Sequence, residues 1–119
     1  MSRKVLIIDD EDYVEKVAGF FKRRDFEVFT ASSGEAGRDL FKENLPDCVL
    51  IDINLPGIDG IETFYRLKEV KDDVVAYFIT GQVGSIALNK ALNDGARDYL
   101  LKPIDLTRLE EIMEEVMSH

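Results

Sequence analysis

Short apolar runs alternate with amphipathic segments along the chain. Apolar runs rich in β-branched residues predict four strands that are covered on both faces, at residues 5–8, 48–51, 74–79 and 99–101. A weaker, half-polar run predicts a fifth strand at residues 27–30. Between them, apolar residues recur at helical spacing. These stripes are Val14, Val17, Ala18 and Phe21; Ala36, Leu40 and Phe41; Ile61, Phe64 and Leu67; and Leu109, Ile112, Met113 and Val116.

The remaining helix is predicted over residues 83–93, where the sequence is more uniformly apolar, and Gly95 is a natural C-terminal stop. Strands that alternate with helices predict an α/β fold with a doubly wound five-stranded parallel sheet, right-handed crossovers and five helices on its two faces. We expect one domain over residues 1–119, because no linker or repeat interrupts the sequence.

Composition and charge exclude several classes of function. The 119 residues carry 15 Lys and Arg against 24 Asp and Glu, a formal charge of −9, so direct binding to nucleic acid is not expected. Cys48 is the single cysteine, which excludes an internal disulfide and favours a small core residue. The apolar run after the first residues is too short for a signal peptide or a membrane span, and we expect a cytoplasmic protein. His119 is interpreted as a chain end rather than a phosphocarrier.

Polar side chains follow four of the predicted strands: Asp9 and Asp10, Asp52, Thr80, and Lys102. In doubly wound sheets, ligands bind beyond the carboxyl ends of the strands, so this edge is the candidate site. A structural alternative exists for each residue, since Asp9, Asp10 or Asp12 could cap a helix beginning near Tyr13, and Asp52 or Thr80 could serve a turn.

If the first and third strands are neighbours, three carboxylates meet at this edge. Two unit charges about 4 Å apart repel by roughly 4 kcal/mol at an effective dielectric near 20, so the cluster favours a bound cation or a retained proton. Carboxylate oxygens are typical ligands of Mg²⁺. With Lys102 and Thr80 nearby, this chemistry is typical of phosphoryl transfer, and Asp52 is the natural nucleophile.

This combination closely resembles the receiver domain of two-component response regulators over essentially the full length of the chain. The matching residues are Asp9-Asp10, Asp52 with Asn54 and the turn at residues 55–60, Thr80-Gly81, and Lys102-Pro103. The resemblance implies a flavodoxin-like sheet of strand order 2-1-3-4-5, and a cis bond between Lys102 and Pro103.

The resemblance also implies the chemistry. Asp52 would accept a phosphoryl group from the phosphohistidine of a sensor histidine kinase, with Lys102 and Thr80 contacting the phosphoryl oxygens. Asp10, Asp52 and the backbone carbonyl of Asn54 would ligate Mg²⁺, and Asp9 would act through a bound water. Such a domain is not an enzyme acting on a separate substrate, because it catalyses only its own phosphorylation and dephosphorylation.

Further residues take their roles from the same resemblance. Thr80 and Tyr99 would form the switch, although Tyr99 also fits an ordinary half-buried strand aromatic, and Asn54 and Gln82 would tune dephosphorylation. The fourth helix, fifth strand and fifth helix would be the output face. The expected partners are the kinase and a downstream effector or output domain, which Thr80-Gly81 suggests is transcriptional. No membrane partner is expected, and a phosphorylation-dependent homodimer is left open.

Two alternatives share parts of this pattern. A Mg²⁺-dependent aspartyl-phosphate phosphatase of the haloacid-dehalogenase-like kind normally has a second Asp two residues after its nucleophile, where this chain has Asn54, and the chain is too short for a cap domain. A flavin-binding module of the same fold needs a phosphate-cradling loop after the first strand, and the acidic residues 9–12 would repel that phosphate.

Overall fold

A computed structural model describes residues 3–118 as a five-stranded parallel sheet of order β2-β1-β3-β4-β5, as predicted. Strands and helices alternate strictly. The elements are β1 Lys4–Ile8, α1 Val14–Lys22, β2 Glu27–Ala31, α2 Gly34–Asn44, β3 Cys48–Asp52, α3 Gly60–Val70, β4 Ala76–Thr80, α4 Ile86–Asn93, β5 Asp98–Leu101 and α5 Leu106–Met117. His119 lies outside the described residues.

Each face of the sheet is covered by its own apolar cluster. One cluster joins β-strand residues such as Ile7 and Leu50 to α1 and α5, and the other joins Leu6 and Ile51 to α2, α3 and α4. The central strands β1, β3 and β4 are buried along almost their whole length, whereas β2 at the edge is mostly half-buried or exposed. The edge position explains the weaker hydrophobic pattern of β2, because this strand has only one neighbour.

The buried face of α2 differs from the predicted stripe. Ala36 is exposed and Leu40 only half-buried, while Gly34 and Gly37 are buried beside Phe41. A Cβ atom on Gly37 would lie 2.4 Å from Ile8 Cδ1, so the helix approaches β1 more closely there than any larger residue allows. Hydrophobic periodicity counts side chains and therefore misses a contact made by backbone.

Helix α4 begins at Ile86, three residues later than the predicted start at position 83. Gly84 has a φ of +88°, and the Ser85 side chain accepts a hydrogen bond from Leu88 N, which defines the first turn. The helix ends at Asn93, and Gly95 follows with a φ of +122°, as its predicted role as a stop requires. The prediction of strand 74–79 was also shifted, since β4 spans Ala76–Thr80.

No helix within residues 3–118 is long and apolar enough to span a bilayer. Cys48 is fully buried at the start of β3, which confirms its interpretation as a core residue.

Candidate functional site

The pairing of β1 with β3 brings the predicted acidic residues together. Ile8 lies opposite Ile51, so Asp9, which follows β1, and Asp52, which ends β3, lie at the same edge of the sheet. One carboxylate oxygen from each of Asp9, Asp10 and Asp52 lies within 4.8 Å of the others. Asp9 and Asp52 are buried and Asp10 is exposed. The expected clustering of three carboxylates is therefore confirmed.

Asp52 is the innermost residue of this site, with 0% of its surface exposed. Its Oδ1 accepts a hydrogen bond from Asn54 N at 2.9 Å, and its Oδ2 lies 2.8 Å from Lys102 Nζ. A Cβ atom on Gly60 would lie 2.2 Å from the Asp52 carbonyl oxygen, so glycine lets the start of α3 pack against the end of β3. Asp52 thus serves the turn that follows it and also faces the site.

Lys102 connects the far side of the site to the acidic cluster. Its backbone N donates to Thr80 O at 2.8 Å, and its Nζ lies 2.5 Å from Glu11 Oε1 as well as contacting Asp52. Burial lowers the pKa of Lys102, but the hydrogen bonds from Nζ to Asp52 and Glu11 outweigh burial and the net shift is upward. The bond between Lys102 and Pro103 is cis, as expected.

Asp9 is held by two donors from the loop that precedes α1. Its Oδ1 accepts from Glu11 N at 3.0 Å, and its Oδ2 accepts from the Tyr13 hydroxyl. Burial raises the pKa of Asp9 to about 6, against the lowering effect of these hydrogen bonds and with a further rise from Asp52. Burial and the hydrogen bond with Asp9 also raise the pKa of Tyr13.

The capping alternative for the aspartates is wrong. The N-cap position of α1 is Tyr13, and across the described part of the chain no side chain accepts the capping hydrogen bond of this helix. Asp9 instead closes a local turn through Glu11 N, because its carboxylate points back into the acidic cluster.

The raised pKa of Asp9 predicts a specific pH dependence of stability without metal. A carboxyl group whose pKa is higher in the folded chain binds more protons when folded, so its contribution declines as the pH rises through that window. For Asp9 the window runs from 3.8 to about 6. We expect the free energy of unfolding of wild type, minus that of Asp9→Asn, to fall by on the order of 2 kcal/mol across it. Urea titrations in EDTA measure this difference, and a pH-independent difference would contradict the assignment.

The Thr80 hydroxyl is engaged by its own loop. Its Oγ1 donates to Gln82 O at 2.7 Å and accepts from Gln82 N at 3.1 Å. Gln82 and Asn54 are exposed at the rim of the site. Movement of this hydroxyl toward Asp52 must therefore break two contacts with Gln82. The assignments of Thr80 as a switch and of Gln82 and Asn54 as tuning residues stay predictions.

Tyr99 lies opposite Phe78 on β5 and is half-buried against the cluster that contains α4. Arg108 of α5 donates to the Tyr99 carbonyl oxygen at 3.2 Å and pairs with Asp98 at 3.0 Å. Tyr99 thus lies on β5, the strand that pairs with β4 and its last residue Thr80, and contacts both the α4 cluster and a side chain of α5. Its role as a switch residue stays a prediction.

Two residues of the site were not predicted from the sequence: Glu11, which pairs with Lys102, and Tyr13, which holds Asp9. The Lys102 ammonium also lies 5.5 Å from the centroid of the Tyr13 ring. Both residues lie in the loop that directly follows Asp9 and Asp10. Their position at the functional edge was the only feature of the sequence that could have indicated a role in the site. The partner of Glu11 comes from the far end of the chain, so sequence spacing could not reveal the pair.

The donor set fits a hard divalent cation. Asp9, Asp10 and Asp52 offer carboxylate oxygens close enough to share one ion, and a cluster of like charges gains stability from such an ion. Asn54 follows Asp52 by two residues and donates its N–H to Asp52 Oδ1. Its carbonyl as a further ligand stays a prediction.

Comparison with known proteins identifies a family and individual proteins that this chain resembles. The family model of the response regulator receiver domain matches residues 5–114. The "Probable C4-dicarboxylate response regulator DctR" of Bacillus subtilis is 34% identical over 119 residues, which cover 98% of this chain and 53% of the relative. The transcriptional regulatory protein SrrA of Staphylococcus aureus is 34% identical over 104 residues, covering 87% of this chain and 43% of the relative.

A solved structure agrees with this result. A two-component response regulator from Clostridium difficile superposes with a TM-score of 0.91 at 25% identity, covering 99% of this chain and 98% of that one. The chain spans about half the length of the curated relatives described above. Because the family model covers nearly the whole chain and the fold agrees, this chain belongs to the response regulator receiver domain family.

Proposed function

We propose that this domain receives a phosphoryl group on Asp52 from the phosphohistidine of a sensor histidine kinase and thereby switches the surface formed by α4, β5 and α5. The observation that carries the proposal is the environment of Asp52. This buried carboxylate lies between an acidic pair and a lysine at the carboxyl edge of the sheet. Parallel sheets of this class bind their ligands at that edge.

In the proposed transfer, a carboxylate oxygen of Asp52 attacks phosphorus while the bond from phosphorus to the imidazole nitrogen breaks. The electron pair leaves with the imidazole. Oδ2 is the natural attacking oxygen, because Oδ1 already accepts the Asn54 N–H. Lys102 shifts from Oδ2 to the incoming phosphoryl oxygens and neutralises part of their charge. Asp9, Asp10 and Asp52 would hold Mg²⁺, which supplies positive charge to the transferring group when bound.

The phosphoryl group then offers the Thr80 hydroxyl an acceptor stronger than the Gln82 carbonyl oxygen that it now contacts. Movement of Thr80 would leave space at the end of β4 beside β5, where Tyr99 is half-buried. This couples a local electrostatic change to the surfaces of α4 and α5. Thr80 and Tyr99 together form the proposed switch.

Partners follow from the same proposal. The relative SrrA is a transcriptional regulatory protein, which supports an effector of that kind for this chain. We infer a cytoplasmic signalling role in which the domain catalyses only its own phosphorylation and dephosphorylation. The receiver family match does not favour the phosphatase alternative. The phosphorylation-dependent homodimer stays a prediction.

The test uses a small phosphodonor in place of the kinase. We expect incubation with acetyl phosphate and Mg²⁺ to add the mass of one phosphoryl group, measured on the intact protein, because the acceptor carboxylate and its neutralising lysine are already in place. The same incubation with EDTA is the control. Absence of any adduct across a range of donor concentrations would contradict the proposed function.

A further inference from the structure

The Lys102 ammonium is shared between two carboxylates in this structure. Nζ lies 2.8 Å from Asp52 Oδ2 and 2.5 Å from Glu11 Oε1. The two acceptors differ in accessibility, since the Asp52 side chain is fully buried and the Glu11 side chain is 49% exposed. Lys102 is thus held between the interior of the site and its rim.

Glu11 is fixed in this position by the same loop that positions Asp9. Its backbone N donates to Asp9 Oδ1, which sets the direction of the turn after β1. The Tyr13 ring lies on a further side of the Lys102 ammonium, 5.5 Å from centroid to Nζ. A cation near a ring face is attracted to it, so Tyr13 adds to the restraint. The loop before α1 therefore holds Lys102 through two different side chains.

We propose that Glu11 is a positioning residue that competes with the phosphoryl group for Lys102 and so slows phosphorylation of Asp52. The inference rests on the proposed function, because it concerns the same transfer to Asp52. When a carboxylate oxygen of Asp52 attacks phosphorus and the leaving group departs, Lys102 has to turn toward the phosphoryl oxygens. The ion pair with Glu11 opposes that turn, and the Glu11 carboxylate also repels the incoming anion.

The size of the effect follows from the exposure of the pair. An ion pair with one partly exposed partner is worth little in water, so its loss changes the transfer rate by about two- to five-fold. Salt screens exposed charges over about 10 Å at 0.1 M ionic strength, so the repulsion between Glu11 and the incoming anion weakens as salt is added. The contact between Glu11 and Lys102 is much shorter, at 2.5 Å, and is screened less. This dependence separates a competing charge from a residue that acts by packing.

The experiment compares Glu11→Gln with wild type and with Glu15→Gln. Glu15 is an exposed carboxylate at the start of α1, so its variant removes the same charge nearby without a Lys102 contact. We expect Glu11→Gln to take up phosphoryl from acetyl phosphate about two- to five-fold faster than wild type at low salt. Glu15→Gln should stay nearer to the wild-type rate, and the rate ratio of Glu11→Gln to wild type should decrease as NaCl is raised while remaining above one.

A third variant separates contact from charge. Glu11→Asp keeps the charge but shortens the side chain, so we expect it also to exceed the wild-type rate. The inference is overturned if Glu11→Gln is as slow as wild type or slower, if Glu15→Gln gives the same acceleration, or if the acceleration is independent of salt. Failure of wild type to take up phosphoryl at all would instead contradict the proposed function. If wild type is phosphorylated and Glu11→Gln takes up phosphoryl at the same rate, the result contradicts this inference but leaves the proposed function intact.

Discussion

Asp52→Asn is expected to abolish the phosphoryl adduct that wild type forms with acetyl phosphate and Mg²⁺. The amide has no anionic oxygen to attack phosphorus, and it offers a poorer partner to Lys102 and a poorer ligand to a cation. We expect the rate of adduct formation, followed by intact mass, to fall by at least about 100-fold.

This variant should still fold, because it removes one of three mutually repelling carboxylates and keeps the shape of the side chain. We expect the metal-free variant to melt no lower than wild type. Asp73→Asn is the matched control, since Asp73 is exposed and lies before β4, at the opposite edge of the sheet. An adduct that persists in Asp52→Asn at the wild-type rate would show that another residue is the acceptor.

The second large effect concerns the acidic cluster itself. We expect Mg²⁺ to raise the melting temperature, because an ion that binds only the folded cluster stabilises it by mass action. At ten times the dissociation constant, this stabilisation is about 1.4 kcal/mol, or about 4–8 °C for a domain of this size. Thermal unfolding in EDTA and at increasing Mg²⁺ measures the shift.

Asp10→Asn provides the decisive comparison. Asp10 is the exposed member of the cluster, so its replacement removes a ligand with little change to the core. We expect this variant to need about ten-fold more Mg²⁺ for the same shift. Asp12→Asn removes an exposed charge from the same loop outside the cluster and should respond almost as wild type does. Equal Mg²⁺ responses of Asp10→Asn and wild type would be incompatible with the metal site.

The fold was largely predictable from the sequence, because the pattern of apolar and polar residues that marks each strand and helix is contained in short stretches of the chain. Strands buried on both faces appear in the sequence as apolar runs, and Ile51 and Ile79 lie in such runs. The errors came where backbone or loop geometry decides. Gly37 rather than Ala36 contacts the sheet through the absence of a side chain, and Gly84 and Ser85 delay the start of α4.

The candidate site was predictable in part. Asp52 and Thr80 end buried strands and Lys102 follows the partly exposed edge strand β5, so their edge could be inferred from the chain itself. Glu11 and Tyr13 were missed because each acts through a contact that composition does not predict. A charged residue or an aromatic residue at the start of a helix is common, and only its neighbour in space gives it a role.

By itself, the sequence determined which polar residues lie at the carboxyl ends of the strands and the alternation that makes the sheet parallel, since both depend on chemistry close along the chain. Only the tertiary structure decided which carboxylates Lys102 contacts. The order of the strands places β1 beside β3, and the loop after β1 and the end of β3 then bring Glu11 and Asp52 to the same ammonium group. Electrostatic interactions depend on distances in space, and those distances exist only once the strands are packed.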